Sequence, residues 1–166
     1  MTEYSTGLRI TPASEADVSK IMAMIRELAE FEKLSHQVEA DEQSMTRSLF
    51  GDPRVAYALM LTWNGEPAGY CIYFYNFSTF LGRPGLYVED LYVRPEFRRR
   101  GIARSVFIHL GRLAKEQNLG RIELAALDWN ERAIRFYEGL GAEGLSEWKL
   151  FRFTGEPLAR LGALEP

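Results

Sequence analysis

The sequence predicts a mixed α/β fold from three signals that alternate along the chain: stretches with helical spacing of apolar residues, short β-branched and aromatic runs, and turn residues between them. With 166 residues the chain has the size of one domain, which we expect to span 1–166 with a core of about 8–161. Leu8 to Thr11 reads as a strand, and Ser14-Glu-Ala-Asp17 as a capping box that opens a helix with Val18, Ile21, Ile25 and Leu28 on one face. Asp41 caps a shorter helix in which Met45 and Leu49 share a face, and Gly51-Asp52-Pro53 ends it. Val55 to Trp63 and Pro67 to Phe77 read as strands joined by the hairpin signal Asn64-Gly65.

Two glycines and Pro84 mark Ser78 to Gly85 as a loop, after which Leu86 to Val93 reads as a strand interrupted by Glu89-Asp90. A basic turn follows, then a helix from about Ile102 to Gln117 with Val106, Leu110 and Leu113 facing inward, stopped by Asn118-Leu119-Gly120. Arg121 to Ala126 is a further strand, Glu131 to Leu140 a helix closed by Gly141, and Trp148 to Phe153 a final strand.

Composition narrows the function classes. Hydrophobic residues make up 46% and charged residues 26%, which argues against disorder, collagen-like repeats and coiled coil. The net charge of −3 offers no general pull on a polyanion, so a nucleic-acid partner is not expected. The Arg98-Arg99-Arg100 run alone is weak evidence for one. One cysteine, Cys71, forms no internal disulfide. With no secretory start and no long apolar run, we expect a soluble cytoplasmic protein without a membrane partner.

The most informative stretch is Val88-Glu89-Asp90-Leu91-Tyr92-Val93-Arg94-Pro95-Glu96-Phe97-Arg98-Arg99-Arg100-Gly101-Ile102-Ala103, a strand that runs into a basic turn opening a helix. A helix N-terminus presents unpaired N–H groups and partial positive charge, and can hold a pyrophosphate where nothing bulky obstructs it. Gly101 permits close approach and Ala103 keeps the first turn small, while the arginines add charge at the rim. A solvated arginine turn with a glycine that merely satisfies its dihedral fits the same residues.

Arg98-x-x-Gly101-x-Ala103 resembles the Arg/Gln-x-x-Gly-x-Gly/Ala signature of the GCN5-related N-acetyltransferase (GNAT) superfamily, and the strand order is similar too. Asp128-Trp129-Asn130-Glu131-Arg132-Ala133-Ile134-Arg135-Phe136-Tyr137-Glu138-Gly139-Leu140-Gly141-Ala142 looks like the family's second cofactor segment. Arg9-Ile10-Thr11-Pro12-Ala13, Glu27-Leu28-Ala29-Glu30-Phe31-Glu32 and Tyr87 to Val93 resemble the diamine (spermidine/spermine) acetyltransferase group. Ser78-Thr79-Phe80-x-Gly82-Arg83 and Leu124-Ala125-x-Leu127-Asp128-Trp129-Asn130 resemble its thialysine acetyltransferase branch.

The resemblance implies a single-domain fold with a mixed, mostly antiparallel sheet, flanked by helices and splayed at a central strand. It implies acetyl-CoA as cosubstrate and a homodimer. Cofactor contacts are implied at Leu91, Tyr92, Val93, Arg98, Arg99, Arg100, Gly101, Ile102, Ala103, Arg104, Asn130, Ala133 and Tyr137. Phe31, Glu32, Glu89 and Asp90 are implied at the substrate end, where Glu32 would attract a cationic amine.

Acetyl transfer needs a neutral amine, yet a lysine-like amine with pKa near ~10.4 is only about one part in 2,500 deprotonated at pH 7, a cost of roughly 4 to 5 kcal/mol. By resemblance Glu89 relays that proton and Tyr137 protonates the departing thiolate. Strand alternation puts Glu89 and Asp90 on opposite faces. Without the resemblance, Glu89-Asp90 reads as an ordinary ion-pairing site, Tyr137 as core packing beside Ile134 and Leu140, and Asn130 as the cap of its helix. His36 and His109 lack partners at metal-ligand spacing, so no metal is expected, and Cys71 reads as buried packing.

The expected activity is transfer of acetyl from acetyl-CoA to a small lysine-like primary amine such as thialysine, by direct attack. Arg83 and Lys149 are candidates for a substrate carboxylate. A polyamine acetyltransferase, a CoA-binding module without turnover, and an acetyltransferase of protein N-termini or lysines are the alternatives.

Overall fold

The computed structural model describes residues 2–3 and 7–164. Its strands are β1 (Thr2–Glu3), β2 (Leu8–Pro12), β3 (Tyr57–Trp63), β4 (Glu66–Ser78), β5 (Arg83–Val93) and β6 (Ile122–Leu124). Its helices are α1 (Val18–Phe31), α2 (Glu42–Phe50), α3 (Ile102–Glu116), α4 (Glu131–Gly139) and α5 (Gly155–Gly162). The strands lie in the sheet in chain order, antiparallel throughout except for the parallel pair β5–β6. The chain divides into two compact units, one up to Ala125 that holds the sheet and α1 to α3, and one from Ala126 that holds α4 and α5.

Within the first unit each face of the sheet buries an apolar layer. Leu8, Ile10, Leu59, Leu61, Cys71, Tyr73, Leu86 and Val88 pack against Ile102, Val106 and Leu110 of α3. Met60, Tyr70, Ile72 and Tyr92 on the opposite face pack against Ile21 and Met24 of α1. The four-residue spacing of Ile102, Val106 and Leu110 puts them on one helical stripe, as the periodicity predicts.

Local signals act as expected at the turns. Asp41 accepts a hydrogen bond from the Ser44 amide at 2.7 Å and caps α2. Asp17 accepts from the Ser14 amide at 3.0 Å, across a short 3-10 turn that precedes α1. Asn64 and Gly65 both take positive φ, 50° and 87°, which suits a two-residue hairpin turn.

Three expectations fail. The loop predicted for Ser78 to Gly85 shrinks to a tight turn, because Phe77 pairs with Pro84 and Ser78 with Arg83. The strand predicted for Arg121 to Ala126 is limited to Ile122–Leu124, the length over which it meets β5. Trp148 to Phe153 forms no strand: these residues pair with nothing in the sheet, and Trp148, Leu150, Phe151 and Phe153 are exposed. β propensity without a partner strand to satisfy the backbone does not make a strand. Helix α5 lay outside the predicted elements.

Gly69 pairs with Val93 of β5, and an added Cβ there would collide with the Tyr92 carbonyl oxygen. Gly69→Ala is therefore expected to lower stability by about 1–3 kcal/mol, read as a drop in thermal midpoint with the fold retained by circular dichroism.

Candidate active site

The pairing of β5 changes at Glu89. On β4, Tyr73 opposes Val88 and Ile72 opposes Asp90, so Glu89 is one extra residue, a β-bulge. The bulge switches the alternation of the strand: Leu86 and Val88 before it and Leu91 and Val93 after it all face the α3 layer. Asp90 and Tyr92 consequently lie on the α1 face, opposite Ile72 and Tyr70. Simple alternation through Glu89-Asp90 does not hold, and the reason is that inserted residue.

The parallel partner also ends there. β6 pairs with Leu86, Tyr87 and Val88 only, so from Glu89 to Val93 the strand is hydrogen-bonded to β4 on one side and splayed from β6 on the other.

Three carboxylates gather at this point. Asp90 is largely buried, and desolvation, with the neighbouring charge of Glu89 and a smaller effect from Glu32, pushes its carboxyl up to about 6. The Tyr70 hydroxyl donates to Asp90 Oδ2 at 3.2 Å and works in the opposite direction. Glu32, the residue that ends α1, is half-buried and is raised by desolvation as well. Glu89 is exposed.

A clamp holds the end of α1 to this strand. Arg94, just beyond β5, donates to both oxygens of Glu27 on α1, with Nη2 to Oε1 at 2.7 Å and Nε to Oε2 at 3.1 Å, and its Nη1 donates to the Pro67 carbonyl at 3.1 Å. These bonds hold the Glu27 carboxyl below its ordinary range. The last turn of α1, with Phe31 and Glu32, is thereby fixed beside Tyr92 and Asp90.

The basic turn differs in part from its sequence reading. Arg98 donates from Nε to the Val93 carbonyl at 2.8 Å, and its guanidinium lies over the rings of Phe31 (5.6 Å) and Tyr92 (5.9 Å). Arg100 donates to the Glu96 carbonyl at 3.3 Å and lies over Trp63 (5.1 Å) and Phe97 (5.8 Å). These two arginines brace the turn itself, and Arg99, Arg100 and Arg104 are all exposed at its rim.

The turn nevertheless fits a pyrophosphate. Gly101 precedes α3 at φ 76°, no side chain caps the helix, and the space a Cβ would take is empty. The first intrahelical bond to Gly101 is made by Ser105, which leaves the amides of Ile102, Ala103 and Arg104 as donors at the positive end of the helix. The side chain of Ile102 is buried and anchors the helix. On β5, the open edge at Leu91 and Tyr92 offers main-chain groups to an extended ligand, while the Val93 carbonyl is already taken by Arg98.

In the second unit, Asn130 caps α4 by accepting from the Ala133 amide at 3.2 Å. That amide is thus not available to a cofactor, and only the small side chain of Ala133 remains for the expected contact. Tyr137 is half-buried on α4, its ring 5.3 Å from that of Phe136. Lys149 is exposed in the same unit.

Arg83 is a poor partner for the carboxylate of an amine bound at Asp90. It stands seven residues earlier on β5, about 23 Å along the strand at ~3.3 Å per residue, and donates to Asn118 Oδ1 at 3.3 Å. Cys71 is fully buried, and burial pushes its thiol well up, away from nucleophilic use. His36 lies on an exposed 3-10 turn and His109 on α3, where burial lowers its pKa. Among the described residues no group of three His, Cys, Asp or Glu is placed to hold a metal, and no helix is long and apolar enough to cross a membrane.

The acetyltransferase (GNAT) family model matches residues 21–142, which include the splayed strand, the glycine turn and α4. The chain belongs to that family and is an N-acetyltransferase. It is 39% identical over 163 residues to a thialysine N-epsilon-acetyltransferase of Bos taurus, covering 92% of this chain and 95% of the relative. It is 27% identical to the L-ornithine N5-acetyltransferase NATA1 of Arabidopsis thaliana, with 94% and 88% covered. Among solved structures, an integron cassette protein of Vibrio cholerae superposes with a TM-score of 0.79 at 22% identity over 95% of this chain and 99% of that one, a likeness of fold.

Sequence reasoning missed Tyr70, Glu27 and Arg94 as parts of the site. Tyr70 carried only the general signal of a tyrosine in an apolar strand, whose hydroxyl needs a partner.

The raised carboxyl of Asp90 has a consequence for stability. Its folded value, about 6, lies above the ordinary 3.8, so the folded state binds the proton more tightly and gains stability as pH falls from above 6 to below 4. At neutral pH the buried charge is a cost. Asp90→Asn is expected to be about 1 kcal/mol more stable than the parent at pH 7.5, with the advantage shrinking by pH 4.5, as measured by urea unfolding at the two pH values.

Proposed function

We propose that the chain is one acetyltransferase domain over residues 1–166 that acetylates the side-chain amine of a small lysine-like amino acid, thialysine being the model case, with acetyl-CoA as cosubstrate and no metal. The observation that carries the reading is the cluster of Glu32, Glu89 and Asp90 where β5 leaves β6, because three carboxylates with no ion-pair partner among the described residues make a binding place for an ammonium group. The 39% identity to thialysine acetyltransferases supports the amino-acid substrate.

Bound acetyl-CoA supplies an activated thioester carbonyl. In the proposal the amides of Ile102, Ala103 and Arg104 hold its diphosphate, with Arg99 and Arg104 adding charge at the rim. Asp90 and Glu32 hold the incoming ammonium, and Phe31 borders it. Glu89 accepts one proton from the ammonium, directly or through water, before the neutral amine attacks the thioester carbonyl. As the tetrahedral intermediate collapses and the C–S bond breaks, the nitrogen loses its second proton to solvent and the Tyr137 hydroxyl protonates the departing sulfur, with no acetyl-enzyme formed.

The same three acids favour a second reading, a polyamine substrate, since each further cation would meet a further carboxylate. We also propose a cytoplasmic homodimer, without nucleic-acid or membrane partners. The exposed apolar residues Leu145, Trp148, Leu150, Phe151 and Phe153 support the dimer, because large apolar side chains are covered more stably by a partner than by water. Light scattering is expected to give twice the mass of the chain.

Thiol release from acetyl-CoA, measured with thialysine, lysine, ornithine, putrescine, spermidine and spermine, tests the substrate. The amino acids are expected to lead in kcat/KM. A preference for spermidine and spermine establishes the second reading, and CoA binding without amine-dependent thiol release overturns both. Tyr137→Phe is expected to lower kcat at least tenfold while CoA affinity, read by calorimetry, stays within about twofold; an unchanged kcat removes Tyr137 from the acid role.

A further inference from the structure

We infer that Tyr70 is a positioning residue for acetylation: its hydroxyl holds Asp90 in place and in its ionised form so that the free carboxylate oxygen meets the amine. The inference rests on the acetyltransferase reading above and adds to it a residue behind the site that no sequence motif marks.

Tyr70 has no exposed surface, and its ring packs in the α1 layer with the Tyr92 ring at 6.2 Å. Its hydroxyl donates to Asp90 Oδ2 at 3.2 Å across the β4–β5 pairing, just past the bulge at Glu89. Among the described residues, no other hydrogen-bond donor and no ion pair to Asp90 is formed. The chemistry of the donor matters. An arginine or lysine in that place would orient Asp90 and also cancel its charge, whereas a phenol is neutral and orients the carboxylate while leaving the charge for a cationic substrate.

The groups around Asp90 all bear on its titration. Glu89 lies beside it on β5, Glu32 approaches from the end of α1, Tyr70 faces it from β4, and the buried Cys71 lies near it on the opposite face of the sheet. Glu27, Arg94 and Arg98 gather at Tyr92, two residues further along the same face. Desolvation and the two neighbouring acids favour the protonated carboxyl, and the Tyr70 hydrogen bond favours the ionised one. Removing the hydroxyl therefore shifts Asp90 toward protonation and frees it to rotate away from the amine.

The test is Tyr70→Phe in the full chain, read in two ways. The amine KM is expected to rise about tenfold with a smaller change in kcat and unchanged CoA affinity, and the acid limb of kcat/KM is expected to move up by half a pH unit or more. Independently of turnover, the carbon-13 titration of the Asp90 carboxyl, assigned by its loss in Asp90→Asn, is expected to move up by the same amount. A folded variant whose KM, acid limb and Asp90 midpoint all match the parent overturns the inference.

If Tyr70→Phe does not fold, 3-fluorotyrosine at Tyr70, a stronger donor, is expected to move the limb and the midpoint down, and no movement overturns the inference. If no amine is acetylated, the acetyltransferase reading falls. The Asp90 titration and amine binding by calorimetry then still decide whether Tyr70 holds Asp90 for an amine.

Discussion

One inserted residue in β5 governs the site. The sheet needs Leu86 and Val88 on the α3 face to build its core, and Leu91 and Val93 take the same face five residues on. Regular alternation cannot satisfy both pairs. The bulge at Glu89 absorbs the odd residue, turns Asp90 and Tyr92 toward α1, and lies where pairing with β6 stops. A single irregularity thus concentrates negative charge and opens a strand edge at the same place.

The surroundings of the bulge show what it costs to keep charge there. Asp90 is driven toward protonation by burial and by its acidic neighbours, a penalty that a domain with only a structural task would avoid. The Glu27–Arg94 clamp and the Arg98 guanidinium over Phe31 and Tyr92 fix the end of α1 against the strand, so the acids are held close instead of relaxing apart. Arg98 links the two regions, since its contact with the Val93 carbonyl and its place over the Phe31 ring tie the glycine turn to the end of α1.

Much of this was legible in the residues. Periodic apolar spacing identified α1 to α4, Asn64-Gly65 identified the hairpin, and the strand-turn-glycine-helix order identified the glycine turn that opens α3, because each signal acts within a few residues. The strand expected at Trp148 to Phe153 failed for the opposite reason. Its composition is right for a strand, but a strand exists only through a partner that composition does not name. The arginine run was read as phosphate-facing as a whole, yet Arg98 and Arg100 each also give one donor to a nearby carbonyl and lie over aromatic rings, contacts made by the path of the backbone.

Sequence alone determined the fold class, the family and the order of elements as far as α4, since periodicity, capping and motif spacing are local properties of the chain. Only the tertiary structure decided which acid is buried, which tyrosine bonds to it, and which arginines brace the glycine turn. Those properties depend on strand register and on solvent exclusion by segments far apart in the chain. Tyr70 and Asp90 are twenty positions apart and meet because β4 and β5 pair.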